Sequence, residues 1–342
     1  MKQWYKIVGI AVGTIIILFL VVCYLLMFHP QLFMSADSEN TYKANGLHGN
    51  VSDLFFVDEN TGVALSSFLY TEKQDSVKVF HTTDAGHNWR PILEVPDCSH
   101  AFNAIKIGSC VFCAVKKDSI FSLICVDALS GKYVISNDKL STLPLLFQHG
   151  DKLSYTANGV FYTTDSVFET TDSIGNYNKQ PSNKGIAVID NNIYGFIFDK
   201  DSCNSRLYDF KNKNFVGDFS FPGDVSMIKT TDSSCVILAA KDQRNLEMNE
   251  LNVVNDTLTS KATYEYKIMQ PLKFDNELVY TLVNDRPNAD NYLLVTDKSG
   301  QTMATVNLST SNIKAYCLTD RMFYYYDQFQ HRIVRFYIYE TL

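Results

Sequence analysis

The sequence is poor in the residues that mark several classes of protein. Glycine and proline number only 16 and 8 in 342 residues, which excludes collagen-like and low-complexity chains. Basic residues are in the minority, at 30 against 37 acidic ones, and the net charge of -7 repels phosphate backbones. We therefore expect no nucleic-acid partner.

Signatures of catalysis and of cofactor binding are also missing. The sequence has no Walker loop, no G-x-G-x-x-G fingerprint, no G-x-S-x-G elbow and no H-E-x-x-H pair. Cys110 and Cys113 form a C-x-x-C pair, but no second pair follows at zinc spacing. We interpret these cysteines as small apolar core residues and predict no catalytic residue, cofactor or metal.

Charge is absent from one long stretch, "IVGIAVGTIIILFLVVCYLLMF", which begins at Ile7 and ends at Phe28. At about 1.5 Å per residue, a helix of this length crosses a hydrocarbon core of about 30 Å. Lys2 and Lys6 precede the stretch, and no lysine or arginine follows before Lys43. This asymmetry predicts a cytoplasmic N-terminus.

We predict that this segment is an uncleaved anchor, because a cleaved signal peptide would have a shorter apolar core. The domain organisation that follows is a cytoplasmic tail over 1–6, a transmembrane helix over 7–28, and a linker over 29–47 that includes a possible ring-closing strand. The body over 48–342 would then lie in the periplasm or outside the cell. The protein would be a single-pass protein of the inner membrane.

The body, residues 48–342, contains a repeated hairpin. An apolar strand, a polar turn and a second alternating strand recur, and no long helical period interrupts them. The seven hairpins begin at Val51, Phe102, Leu143, Lys184, Asp224, Gln270 and Ser311. A spacing of about 40–50 residues is the period of four-stranded propeller blades, and it predicts an all-β propeller of about seven blades, with six or eight as the alternatives.

The last unit is one strand short. Its sequence, "FYYYDQFQHRIVRFYIYETL", predicts a hairpin that turns at 328–331 and then ends. We expect a segment near 43–49 to supply the missing strand and to close the ring.

The first unit contains a distinctive turn, "TTDAGHNW". Asp84 is suited to accept backbone N–H bonds across its own turn, Gly86 permits positive φ, and Trp89 opens the next strand. With Thr82, these residues match the Asp-box, or BNR repeat, which lies between the third and fourth strands of some propeller blades. The sequence therefore resembles the BNR/Asp-box (sialidase-like) β-propeller superfamily, and the resemblance implies a structural role for these four residues.

A second stretch, "YTTDSVF", keeps Thr163 and Asp165 but has Val167 where the glycine belongs, and we interpret it as a decayed or accidental match. His81 and His87 flank the first turn and are predicted to face solvent.

The resemblance does not bring the chemistry of sialidases with it. Those enzymes need an arginine triad, and the first arginine lies in an Arg-Ile-Pro-type motif. Here "WRPI" has Arg90 before proline and isoleucine, on the strand after the Asp-box. We predict a non-enzymatic member of the superfamily.

The predicted function is that of a membrane-anchored, protein-binding or assembly module. Membrane-tethered propellers can act as assembly factors, and the photosystem II assembly factor family uses a related BNR-type propeller. An immunity protein that neutralises a toxin at the membrane is another protein-binding possibility. The alternative is a sialidase-like glycan-active enzyme or glycan-binding lectin. Arginines clustered at the channel mouth would favour the alternative, and arginines scattered over separate outer strands would favour the binding module.

Overall fold

The computed structural model describes residues 41–337, apart from 69–74, 178, 180, 182–184, 200, 224, 232, 241–244, 254, 256, 276, 286–289, 309–312 and 320–321. The predicted tail and transmembrane helix, with its ends at Ile7 and Phe28, lie outside this range. Within the described part of the chain, no helix is long and apolar enough to cross a membrane.

Seven antiparallel four-stranded sheets make up the structure, and the predicted all-β propeller of seven blades is confirmed. Blades 1 to 3 contain β2 (Asn50–Phe56), β3 (Gly62–Phe68), β4 (Ser76–Thr82) and β5 (Arg90–Pro96); β6 (Ala101–Ile107), β7 (Cys110–Lys117), β8 (Ile120–Asp127) and β9 (Lys132–Ile135); and β10 (Leu146–His149), β11 (Lys152–Ala157), β12 (Val160–Thr164) and β13 (Thr171–Asn176).

Blades 4 to 6 follow the same order from the innermost strand outward. They contain β14 (Ile186–Ile189), β15 (Asn192–Asp199), β16 (Asn204–Asp209) and β17 (Asn214–Pro222); β18 (Val225–Lys229), β19 (Ser234–Ala240), β20 (Leu246–Asn252) and β21 (Thr257–Tyr264); and β22 (Lys267–Asp275), β23 (Leu278–Asp285), β24 (Asp290–Asp297) and β25 (Thr302–Asn307).

Blade 7 is made from both ends of the described chain. It contains β26 (Ile313–Leu318), β27 (Met322–Asp327) and β28 (Arg332–Tyr337), and its outermost strand is β1 (Thr41–Lys43). Thr41 pairs with Val334 and Lys43 pairs with Arg332. The sequence pointed to 43–49 for this strand, and the strand observed shares only Lys43 with that segment.

The core is divided among the junctions between blades. Seven clusters of buried apolar side chains occupy the seven junctions, one between each pair of neighbouring blades. Alternation along each strand turns apolar side chains to both faces of a blade, so a blade has to be covered by a neighbour on each side. The innermost strands of adjacent blades also contact one another all the way around the ring.

Candidate functional site

The Asp-box residues lie in the turn between β4 and β5, the third and fourth strands of blade 1. The Thr82 hydroxyl donates to Asp84 Oδ1 at 2.8 Å, and the Gly86 amide donates to Thr82 Oγ1 at 3.1 Å. Asp84 Oδ1 also accepts the amide of Asn88 at 2.9 Å. The turn is thus held by its own side chains, in the manner of an Asx-turn.

Trp89 fixes this turn to the core. Its side chain is only 5% exposed, and its indole N–H donates to the Gly86 carbonyl at 2.8 Å. The ring meets Phe56 edge to face at 6.0 Å. Gly86 has a φ of +87°, and a Cβ there would lie 3.2 Å from the Phe56 ring, so the turn also requires glycine for its conformation.

The same turn holds the segment that closes the ring. The Asn45 amide donates to the His87 carbonyl at 3.0 Å, and the Trp89 amide donates to the Asn45 carbonyl at 2.8 Å. The Tyr42 hydroxyl donates to the Ala85 carbonyl, and the Tyr42 and His87 rings stack at 3.9 Å. We call this set of contacts, between 42–47 and 82–89, the clasp. Its geometry places the Asp-box where blade 1 meets the strand that completes blade 7.

Similar hydrogen bonds are found in the corresponding turns of blades 2 to 6, in which the fourth strand directly follows the third along the chain. Each of these turns has an aspartate or asparagine at or just after the end of the third strand, and its side-chain oxygen accepts a backbone amide from two to four residues downstream. These residues are Asp127, Asp165, Asp209, Asn252 and Asp297. The stretch read as a decayed match therefore occupies the equivalent turn of blade 3. The sequence signal for these five turns is the aspartate or asparagine alone, and the turn of blade 3 adds only Thr163 to it.

Three of these turns predict a dependence of stability on acid. Hydrogen bonds from Ser130 to Asp127 and from Thr170 to Asp165 lower the pKa of each carboxyl below 3.8. Burial works to raise the pKa of Asp84, but the bonds from Asn88 and Thr82 outweigh it and the net shift is downward. A lowered pKa in the folded state contributes stability above the ordinary value, and this contribution is lost as the pH falls through the folded-state pKa.

We expect the urea concentration at the midpoint of unfolding to decrease as the pH is lowered from ~5 to ~2.5. Asp165→Asn keeps an acceptor oxygen and removes the charge, so this variant should lose less stability over that interval than the wild type. Equal pH profiles for the two proteins would contradict a role for the Asp165 carboxylate.

Other candidate residues of the sequence have structural positions. His81 was predicted to face solvent, and this prediction was wrong because its side chain is buried. Its Nε2 atom is 2.7 Å from the Ala128 carbonyl oxygen, and this contact joins blade 1 to blade 2. Cys113 is buried and Cys110 is half-buried on β7, and both are free thiols. Within the described ranges, no group of three His, Cys, Asp or Glu side chains is placed to hold a metal ion.

The four described arginines lie on blades 1, 4 and 7, of which blades 7 and 1 are neighbours. Arg90 begins the outermost strand of blade 1, Arg206 is on the third strand of blade 4, and Arg332 and Arg335 are on the third strand of blade 7. None of these four lies on an innermost strand. The remaining arginines of the body are Arg244, Arg286 and Arg321, which fall outside the described residues.

A concave surface lies at the junction of blades 3 and 4, which we call the seam. Its core is a chain of aromatic rings, in which Phe161 meets Phe210 at 5.0 Å, Phe210 meets Tyr208 at 5.1 Å, and Tyr208 meets Phe215 at 5.2 Å. Phe161 is fully buried, whereas Phe215 is half-buried at the surface. The ring chain therefore leads from the core of the junction to solvent.

Two clefts open along the seam. One, of about 360 Å³, is lined by Phe161, Ile174, Gly175, Asn176, Asn191, Asn192, Ile193, Phe210, Lys211 and Lys213. The other, of about 540 Å³, is lined by Lys179, Ile197, Phe198, Asp199, Arg206 and Phe215. Four cations and one carboxylate line the two clefts, although the whole chain has a net charge of -7. The seam is thus a local reversal of the overall charge.

The cations of the larger cleft lie over an aromatic ring. The Arg206 guanidinium is 4.2 Å and the Lys179 ammonium 4.7 Å from the centre of the Phe215 ring. Asp199 accepts bonds from the Ser202 hydroxyl at 2.9 Å and the Asp201 amide at 3.1 Å. The bond from Ser202, with the backbone amides and the nearby charge of Lys179, lowers the pKa of Asp199, so this carboxylate offsets part of the positive charge of the larger cleft. The sequence offered no signal for this site, because its residues come from three strands and an interblade connection.

Comparisons with known proteins identify the fold and no family. No protein-family model matches the sequence, and no curated protein sequence matches it. A chain of the mitotic checkpoint complex superposes with a TM-score of 0.58 at 11% identity, covering 89% of this chain and 95% of that one. YCF48 bound to a D1 peptide superposes with a TM-score of 0.54 at 11% identity, covering 90% and 99%.

The β-propeller domain of the Trilobed protease from Pyrococcus furiosus is similar at a TM-score of 0.53 and 8% identity, covering 82% of this chain and 92% of that one. That domain is described as having an open velcro topology, whereas here β1 pairs with β28. At these identities the likeness is one of fold alone, and the chain is a seven-bladed propeller with propellers as structural neighbours.

Proposed function

We propose that the chain is a membrane-anchored, extracytoplasmic β-propeller that binds another protein, as an assembly module or an immunity protein would. The observation that carries the proposal is the seam. Cations and apolar side chains from three strands and an interblade connection line the larger cleft there, on a ring whose junctions are filled by core residues. A charged and partly apolar concavity on a rigid scaffold is suited to protein recognition.

The neighbours in fold support a protein partner. One is part of a checkpoint complex, and another is bound to a peptide. None of the four described arginines lies on an innermost strand, which supports a binding module over a sialidase-like enzyme or lectin, because a sialoside carboxylate at the channel mouth would be held by arginines that converge there. The Asp-box turn supports membership in the BNR/sialidase-like superfamily.

The proposal is tested by cross-linking the full chain in native membranes and identifying stoichiometric partners by mass spectrometry. We expect one protein to be captured reciprocally from either side. The same purified chain should not hydrolyse a fluorogenic sialoside. Hydrolysis of the sialoside, with no protein captured reciprocally, would favour the glycan-active alternative.

The membrane anchor is a separate prediction. We expect detergent to be required for extraction, because a continuous apolar span of about 20 residues partitions into the bilayer. N-terminal sequencing of the extracted protein should give the start of the chain. A mature chain that starts near Asp37, or at a lipidated Cys23, would contradict an uncleaved anchor, and cleavage of the body only by protease added outside the cytoplasm would support the proposed orientation.

A further inference from the structure

From the chemistry of the larger cleft we infer that the seam binds an acidic peptide segment that carries aromatic side chains. This inference rests on the proposed function and names the chemical class of the partner. Arg206, Lys179, Lys211 and Lys213 give the two clefts an excess of positive charge in an acidic protein, so complementary charge points to carboxylates.

The two cations beside Phe215 are held in place before any ligand arrives. A guanidinium or ammonium over a ring face is attracted by the negative potential that the ring quadrupole creates there, and this attraction restricts the motion of the side chain. A ligand carboxylate would therefore meet a positioned arginine, whose planar fork suits bidentate pairing. Binding then costs less conformational entropy, because these side chains are already held in place, and this is the general advantage of a preorganised site.

The cleft is also suited to an aromatic side chain. Phe198 is 40% exposed, and Ile197 and Phe215 are half-buried beside it, so apolar surface borders the cations. An aromatic residue of the ligand would cover this surface and extend the chain of rings that begins at Phe161. A polyanion without aromatic groups would satisfy the charge and leave the apolar surface in water.

The outer edge of blade 4 argues for recognition through side chains. In the pairing of β16 with β17, Tyr208 opposes Phe215 and Arg206 opposes Ser220. Between these two pairs, β17 has the four residues 216–219, whereas β16 has only Leu207. This bulge breaks the regular ladder of backbone groups that an added peptide strand would need. The specificity of the site therefore lies in its cations and rings.

The experiment is a selection of a random-peptide display library on the full chain in detergent micelles, followed by fluorescence anisotropy with the enriched peptides. We expect the enriched sequences to combine Asp or Glu with Phe, Tyr or Trp. Arg206→Ala and Lys179→Ala should each weaken binding by about tenfold or more, because each removes a charge that faces a ligand carboxylate. Lys132→Ala, an exposed cation on blade 2, is the matched control and should bind as the wild type does.

Lys179 is exposed, so its replacement should leave the melting temperature unchanged and keep the test valid even if Arg206→Ala were to unfold. Enrichment of basic or purely apolar peptides would overturn the inference, as would failure to enrich any sequence, equal binding to the Lys179→Ala variant, or equal affinity for polyglutamate or anionic lipid vesicles. If a protein is captured from membranes but cross-links outside the seam, the inference fails while the proposed function stands.

Discussion

Replacing Trp89 by alanine is expected to lower the free energy of unfolding by about 3–5 kcal/mol, the range usual for truncation of a buried tryptophan. The ring is 5% exposed in the cluster between blades 7 and 1, and its N–H loses the Gly86 carbonyl as a partner. A loss of this size is a large share of the roughly 5–15 kcal/mol that stabilises a domain. Thermal and urea unfolding of the full chain measure it.

Two further variants separate the parts of this effect. Trp89→Phe keeps an aromatic ring and removes the indole N–H, so we expect it to cost less than the alanine variant. Asp84→Asn keeps an acceptor oxygen in the turn and should also be mild. Hydrogen exchange should show faster opening of Thr41–Lys43 in Trp89→Ala, because the clasp is released. Unchanged stability together with loss of partner binding would instead make this turn a functional site.

Removal of residues 1–47 is expected to destabilise the propeller far more than removal of 1–40. The shorter truncation retains β1 and the clasp, whereas the longer one leaves blade 7 with three strands and exposes the edge of β28. It also removes Ala44 and Leu47, which are 3% exposed in the cluster between blades 7 and 1. Truncating a single buried leucine side chain costs about 2–5 kcal/mol, so the loss of a whole segment should exceed that.

Urea unfolding monitored by far-UV and near-UV circular dichroism distinguishes the two truncations. We expect a cooperative transition for the chain that begins at residue 41. We expect a lower midpoint, and association through the exposed strand edge, for the chain that begins at residue 48. Equal midpoints would show that ring closure does not depend on the N-terminal strand.

The clasp has a consequence for a membrane-anchored chain. The strand that closes the ring follows the predicted linker directly, so the anchor would be joined to the propeller at its point of closure. The Asp-box of blade 1 differs from the simpler turns of blades 2 to 6 in combining the threonine with the glycine and the tryptophan, whereas the turn of blade 3 keeps only Thr163. The blade 1 turn also holds the closing segment. The complete Asp-box is therefore found in the turn that also has to hold the closing segment.

Sequence reasoning located the blades because their signals are local. Alternation of apolar residues and the turn residues between strands are read within a few positions, and the seven predicted hairpin starts lie within three residues of the innermost strands observed. The closing strand was misplaced by a few residues because three residues of β1 carry no period of their own. His81 was misassigned because its burial depends on blade 2, which no local pattern reports.

The sequence by itself determined the fold class, the approximate number of blades and the turn that contains Thr82, Asp84, Gly86 and Trp89, since each depends on neighbouring residues in the chain. Only the tertiary structure decided what that turn holds and where a partner would bind. Lys179, Arg206 and Phe215 are separated along the chain and become neighbours because blade 4 packs against blade 3 and its outer strand bulges beside Arg206. Packing between blades brings distant positions together, and the period of a repeat does not encode which side chains will meet there.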